Sequence, residues 1–202
     1  MSTEAEKALA GEIYDANFDP ALIAARLRTK QALKAYNDTD PADLDSRDRQ
    51  LRALLGRAGQ RLLIEQPFRC DYGANIEVGD NFYANFNLTI LDANKVVIGD
   101  NVFIAPNVGL HTSGHPLDVK RRNAGLEYAR PITIGNNVWI GAGVNVMPGV
   151  RIGSNSVIGA GSVVTRDVPA NVVAAGVPCR VIKSIADLNE EEDGRDGPAA
   201  TN

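Results

Sequence analysis

The most regular feature of the chain is a six-residue spacing of aliphatic positions. Ile134, Ile140, Val146, Ile152, Ile158 and Val164 stand six residues apart, and four residues after each comes Val138, Val144, Val150, Ser156, Ser162 or Val168. Gly135, Gly141, Gly153 and Gly159 follow their aliphatic residues directly. The same register runs earlier through Val78, Ala84 and Ile90 and, after two extra residues, through Ile98, Ile104 and Leu110. A period of six fits 3.6 poorly and is a multiple of two, so positions i and i+4 face the same side of a short strand. Gly, Asn and Asp between the strands supply turns that need unusual backbone angles. This pattern predicts a parallel β-helix, with one hexad per flat side and about 18 residues per coil. The aliphatic positions stack inside, and neighbouring coils cover each other's backbone groups.

A different pattern occupies residues 1–60. In "FDPALIAARLRTKQALKAYN", Asp19 precedes Pro20, an N-cap followed by proline at the first helical position. Leu22, Ile23, Leu27 and Leu33 then recur at helical spacing. "TDPADLDSRDRQLRALLGRAG" repeats the device with Asp40 and Pro41, and Gly56 or Gly59 is placed to end the helix. Residues 1–60 are thus an N-terminal helical segment and residues 61–185 a β-helix domain. Pro169 and Pro178 break the hexads, so a last strand and a short helix are expected to cap the open end. Residues 186–202 read as an acidic, disordered tail.

Composition narrows the classes. The 202 residues are 44% hydrophobic and 23% charged with a net charge of -4, which leaves no basic excess for nucleic acid or anionic lipid. No apolar run approaches the roughly 18 residues of a membrane span. The acidic N-terminus lacks a signal pattern, and a cytoplasmic location is expected. Cys70 and Cys179 have no CxxC partner and read as small apolar thiols.

One long stretch, residues 112–131, "TSGHPLDVKRRNAGLEYARP", breaks the hexads. It contains His115, one of two histidines in the chain. His111 follows the inward Leu110 on a turn and reads as structural or solvated.

The combination of hexads with "NFYANFNLTILD", "IGDNVFIAPNV", "TSGHPLD", "PITIGNNVWIG", "SVIGAGSVVTRDVP" and "VVAAGVPCRVI" closely resembles the maltose and galactoside O-acetyltransferase family. The resemblance extends over nearly the whole chain, the N-terminal helices included, and ends before the acidic tail. It implies a left-handed β-helix, an exception to right-handed crossovers. It also implies a homotrimer with active sites between subunits, acetyl-CoA as donor co-substrate, and a sugar hydroxyl as acceptor. The loop of residues 112–131 would reach toward the adjacent subunit.

Residue by residue, the resemblance makes His115 the general base, a task suited to a side chain with a reference pKa near 6.5. Asn85 matches a position beside the reacting groups, and Glu127 would orient the imidazole or hold a sugar hydroxyl. Asp15 and Asp71 match acceptor-binding positions, carboxylates being natural acceptors for sugar hydroxyls. Galactoside enzymes carry serine where this chain has Asp71 and aspartate where it has Ala93, departures that lean toward the maltose-type branch. Asp92 lies nearby without an assigned role. For the donor, the match falls on Ala142, Ala160, Thr165, Arg166, Arg180 and Lys183, and Trp139, the sole tryptophan, reads as a wall of that site or an interface anchor. Small residues at 142 and 160 would let the pantetheine arm run close to the prism, with the Ala142 amide near the oxyanion. Arg166, Arg180 and Lys183 would meet the CoA phosphates. No metal is expected: the related gamma-type carbonic anhydrases need three histidines on zinc, and this chain has 2. Rival readings are a galactoside or another hydroxyl acceptor, such as a xenobiotic or serine, and a catalytically silent β-helix scaffold.

Overall fold

A computed structural model describes residues 2–186. Its body is a parallel β-helix, a prism with three β-sheet faces. The first face stacks Arg57–Ala58, Ile76–Val78, Val96–Ile98, Ile132–Ile134 and Arg151–Ile152. The second stacks Leu62–Ile64, Phe82–Ala84, Phe103–Ile104, Trp139–Ile140, Val157–Ile158 and Val172–Ala175, and Arg180–Ser184 closes it in antiparallel fashion. The third stacks Arg69–Cys70, Thr89–Leu91, Gly109–His111, Asn145–Val146 and Val163–Val164. The chain visits the faces in turn, so each circuit lies beside the last; Ile104, Ile140, Ile158 and Ala174 fall in one column.

The hexad register is the core. Ile140, Val146, Ile158 and Val164 are completely buried, and so are Val144, Ser156 and Ser162 four residues after three of the aliphatic positions. Burying such an aliphatic side chain contributes about 1.5–3 kcal/mol each, so the stacked columns dominate stability. The two buried serines are satisfied: Ser156 Oγ donates to the Pro169 carbonyl at 2.9 Å and Ser162 Oγ to the Gly159 carbonyl at 2.6 Å.

One prism corner is a ladder of asparagines. Asn81, Asn101, Asn137, Asn155 and Asn171 each have φ between 55° and 59°. The amide of each of the first four donates to the next, at 2.9, 3.1, 2.8 and 2.9 Å. The rungs are 20, 36, 18 and 16 residues apart. The expected 18 is thus one value among several: the 20 holds the two extra residues, and the 36 holds the excursion. Gly135, Gly141, Gly153 and Gly159 have a role other than left-handed geometry. A Cβ at Gly153 would lie 2.3 Å from the Ala170 nitrogen, so these glycines let successive coils approach. The left-handed positions come two residues later, at Asn137, Gly143, Asn155 and Gly161.

Helix α1 (Glu4–Ala10) starts with a capping box between Thr3 and Glu6. Helix α2 (Pro20–Asn37) is capped by Asp19, as its sequence predicts. Its buried face is Leu22, Thr29, Leu33 and Tyr36, whereas Ile23 and Leu27 point outward at 45% and 56% exposure. Helix α3 (Leu44–Leu54) starts later than the Asp40–Pro41 signal suggests, because Asp43 is the residue that caps it, through the Ser46 N–H at 3.0 Å. Asp40 instead holds the turn before it, accepting from Ala42 N–H at 2.9 Å. Nor do Gly56 and Gly59 end α3, which stops at Leu54. A Cβ at either would lie 2.3–2.4 Å from the next coil's backbone, so both belong to the first coil. Leu33, Tyr36, Leu51 and Leu55 join the main core and plug the base of the prism. Tyr36 Oη and Arg47 Nη2 both donate to the Ile64 carbonyl, and Arg47 also pairs with Glu65 at 2.9 Å. At the other end Arg180–Ser184 is the expected last strand. The expected short helix begins at residues 185 and 186, and the acidic tail from 187 lies outside the described residues.

Candidate active site

The excursion at 112–131 is a folded unit. Ser113–Gly114 pairs antiparallel with Leu126–Ala129, and a short helix α4 (Val119–Asn123), capped by Asp118, forms the tip. Leu126–Ala129 also pairs with Tyr14–Asp15, placing Tyr14 opposite Glu127. A three-stranded sheet therefore ties the N-terminal segment to the excursion. Asn94, 3% exposed, fastens both to the prism: its Nδ2 donates to the Ala8 carbonyl at 2.8 Å and to the Ala129 carbonyl at 3.3 Å.

This arrangement defines the state of His115. Its Nδ1 lies 2.9 Å from the Leu126 carbonyl oxygen. A carbonyl only accepts, so Nδ1 carries the proton and Nε2 of the neutral ring has a free lone pair. Nε2 lies 3.7 Å from Glu127 Oε1, and the other oxygen of Glu127 accepts from Tyr14 Oη at 2.8 Å. Burial, reinforced by this bond, pushes the Tyr14 phenol well above the usual tyrosine range, so it remains a donor. The orienting partner of the ring is thus a backbone carbonyl, and Glu127 stands on the basic side.

Glu127 and Tyr14 belong to the wall of a cleft of about 250 Å³, shared with Asn17, Arg26, Lys30, Asp71 and Ala93 among others. Burial, and then the neighbouring Asp92 carboxylate, push Asp71 up to about 6. Asp15 is not part of this wall. Its Oδ1 accepts from the N–H groups of Asn17 at 3.2 Å and Phe18 at 2.9 Å, so it shapes the turn that brings Asn17 there.

The remaining sequence-selected residues fall elsewhere. Asn85 follows Phe82–Ala84, and its side chain accepts from the Phe86 N–H at 2.8 Å. By register, Asn85, Gly141 and Gly159 share one column, with Ala142 and Ala160 in the next, at the corner between the second and third faces. Ala142 and Ala160 are exposed, and Gly161 N–H donates to the Ala142 carbonyl at 2.8 Å. Trp139 projects from the second face beside Phe103, at 56% and 45% exposure. Arg180 and Lys183 lie on the closing strand of that face, both exposed. Thr165 and Arg166 leave the third face at its far side, on a different corner. Within one chain the sequence-selected groups are thus split between the excursion, one corner track and a second corner. His111 spans from Gly109 to Asn145, whose Oδ1 is 3.1 Å from its Nε2.

Comparison with known proteins decides the family. Residues 7–59 match the profile described as the maltose acetyltransferase hexapeptide capping motif, and residues 131–166 match the six-repeat bacterial transferase hexapeptide profile. Galactoside O-acetyltransferase of Escherichia coli is 50% identical over 185 residues, 92% of this chain and 91% of its own length. The chain belongs to the maltose and galactoside O-acetyltransferase family. A Saccharomyces cerevisiae protein named as an acetyltransferase is 62% identical over 182 residues, 90% of this chain and 93% of its own. The crystal structure of a maltose O-acetyltransferase from Clostridium difficile superposes with a TM-score of 0.89 at 51% identity, covering 91% of this chain and 97% of that one. A galactoside acetyltransferase in complex with coenzyme A gives 0.90 at 48%, covering 94% of each.

This chain is therefore an acetyltransferase of the hexapeptide-repeat class. The capping motif corresponds to α1–α3 and the Tyr14–Asp15 strand, the elements that plug the prism and brace the excursion. Identities of 50% and 51% to galactoside and maltose enzymes do not rank the two acceptors, so specificity has to be read from the cleft. In that cleft the acetyltransferase carries groups that spacing did not select: Tyr14, Asn17, Arg26 and Lys30. Arg26 donates to Tyr72 Oη and to the Ala16 carbonyl, both at 2.7 Å, which no periodicity signals.

Among the described residues no helix is long and apolar enough to cross a membrane, and no group of three or more His, Cys, Asp or Glu stands ready for a metal ion.

Proposed function

We propose that this enzyme transfers the acetyl group of acetyl-CoA to a hydroxyl of a sugar such as maltose or glucose. The observation that carries this reading is the state of His115. Its Nδ1–H is held by the Leu126 carbonyl, which leaves Nε2 basic and 3.7 Å from Glu127 of the cleft wall. An acceptor hydroxyl bound in that cleft gives its proton to Nε2 as its oxygen attacks the thioester carbon. The tetrahedral oxyanion is met by the exposed Ala142 amide. Collapse of the intermediate breaks the carbon–sulfur bond, and the CoA thiolate takes the proton back from the imidazolium. Glu127 stabilises the charged ring and shares the acceptor with Asp71, Asn85 positions the reacting ends, and Asp15 acts through the turn that brings Asn17 to the cleft wall.

The donor runs along the corner past Asn85, Ala142 and Ala160, with Trp139 as a wall and Arg180 and Lys183 toward its phosphates. Structures of relatives with coenzyme A bound, and with acetyl-CoA bound for a Vibrio cholerae hexapeptide-repeat acetyltransferase, support that donor. Thr165 and Arg166 lie on another corner, so one complete site takes residues from two copies, in a homotrimer. Sedimentation of the ligand-free protein at low concentration is expected to give a trimer. A stable, active monomer would contradict a shared site.

The reading is tested by thiol release from acetyl-CoA with a panel of maltose, glucose, galactosides and non-sugar alcohols. Sugar-dependent release is expected. Release with non-sugar alcohols alone moves the acceptor class, and no release with any acceptor leaves a silent scaffold.

A further inference from the structure

A second carboxylate lies beneath the acceptor cleft. Asp92 is 0% exposed, the most deeply buried acidic side chain of the core. Its Oδ1 accepts from the Asp71 N–H at 3.0 Å and from the Tyr72 N–H at 2.9 Å. Its backbone carbonyl accepts from Asn75 Nδ2 at 2.8 Å, which anchors it to the coil below. Oδ2 is equally buried and has no hydrogen-bond partner among the described residues.

These bonds alone do not call for a carboxylate. An asparagine oxygen would accept the same two N–H groups without burying an acid. A buried carboxyl oxygen without a partner is costly to keep ionised, so burial favours the protonated form of this side chain while its two N–H partners favour the charged one. The segment it holds is the one that presents Asp71 to the cleft.

We infer that Asp92 is a positioning residue that fixes Asp71 in the acceptor cleft and shares its protonation, making recognition of the acceptor hydroxyl depend on the charge of this pair. The inference rests on the acceptor reading proposed above.

The surroundings of Asp71 define the direction. Arg26 and Lys30 face it from α2, Tyr14 from the N-terminal strand and Glu127 from the excursion, with Cys70 and Tyr72 on either side in sequence. Arg26 donates to the Tyr72 hydroxyl and the Ala16 carbonyl rather than to Asp71. Burial and then Asp92 raise Asp71 to about 6, with Glu127 adding to the rise and the two cations opposing it. Burial likewise raises Asp92 against the backbone bonds that favour its charged form. Above about pH 6, then, Asp71 is a carboxylate that accepts from a sugar hydroxyl. Below it, Asp71 is a carboxylic acid and that acceptor is weakened.

Two measurements test this. The first is the acceptor KM against pH, at saturating acetyl-CoA, for wild type, Asp71→Asn and Asp92→Asn. The wild-type acceptor KM is expected to rise several-fold as pH falls below about 6, while the acetyl-CoA KM does not follow. Asp71→Asn should abolish the rise. Asp92→Asn keeps the Oδ1 acceptor but removes the charge, and should move the rise to lower pH. The second is a carboxyl-carbon NMR titration of the wild-type protein, in which Asp71 and Asp92 should show shared, two-step curves. A rise that stays in place in Asp92→Asn overturns the inference. So do independent one-step curves, which need no variant and decide the matter if Asp92→Asn does not fold. Absence of acetyl transfer to any sugar at any pH removes the acceptor reading itself, a result distinct from either.

Discussion

His115→Ala is expected to fold normally and to lose about 10²–10⁴-fold in kcat, the range associated with removal of a positioned general base. The side chain is 47% exposed and its hydrogen bond goes to the Leu126 carbonyl, so truncation leaves no cavity in the core. The leaving carbonyl is near solvent and water replaces the lost donor. The loss should appear in kcat with little change in the acetyl-CoA KM, because the donor track proposed above lies on the prism corner rather than on the excursion. Steady-state thiol release, paired with a thermal melt to confirm folding, measures both. Near wild-type turnover would remove His115 from the mechanism. Glu127→Gln is a useful companion: it keeps the Tyr14 contact and removes the charge beside Nε2, so its effect separates stabilisation of the imidazolium from packing.

The fold was legible in the sequence because a hexad repeat repeats its physics. Each aliphatic position meets the same neighbours one coil away, and local spacing suffices to place Ile140 against Ile104 and Ile158. The helices were legible in part. Asp19 with Pro20 marks a true start, whereas Asp40 with Pro41 marks a turn, since Asp43 three residues later offers a carboxylate to the Ser46 N–H. Aspartates at both positions satisfy the same local rule, and tertiary packing of α3 on the prism base selects between them. The apolar stripe of α2 was misjudged at Ile23 and Leu27 because helical spacing alone does not say which of two adjacent stripes meets the core.

The site was less legible, for a different reason. His115 and Glu127 were selected through resemblance, but the group that sets the histidine tautomer is a carbonyl, and every residue has one. Tyr14 meets Glu127 across 113 positions of sequence through a two-residue strand too short to announce itself. Asp92 has no assigned role in the sequence, and only its burial and its two N–H partners single it out. Asp15, selected through the same resemblance, turns its carboxylate onto its own backbone, which Asx-type turns do readily when the following residues are left unpaired.

Glucose and maltose are expected to be acetylated at higher kcat/KM than simple galactosides, and Asp71→Ser is expected to narrow that preference. The preference originates in the cleft wall, where Asp71 and Ala93 stand together. Ala93 is 6% exposed and packs with Tyr14, Ala16 and Leu22, so this wall offers no polar group at that point. The wall's Asp71 carboxylate is the proposed acceptor for the sugar hydroxyl. An acceptor whose hydroxyl reaches Asp71 forms a charge-assisted bond; an epimer whose hydroxyl points toward Ala93 leaves both itself and Asp71 unpaired. An unsatisfied group of this kind costs about 1–3 kcal/mol, which corresponds to roughly 5- to 150-fold in relative kcat/KM. The comparison belongs at pH 8, well above the value of about 6 at which Asp71 changes charge, so that every molecule carries the carboxylate. Serine at 71 is shorter and neutral, and it both donates and accepts, so it discriminates less between epimers. Competition assays with glucose and galactose in one vessel measure the ratio directly. A wild-type preference for galactosides, or a ratio unchanged by Asp71→Ser, would sink this assignment while leaving acetyl transfer itself intact.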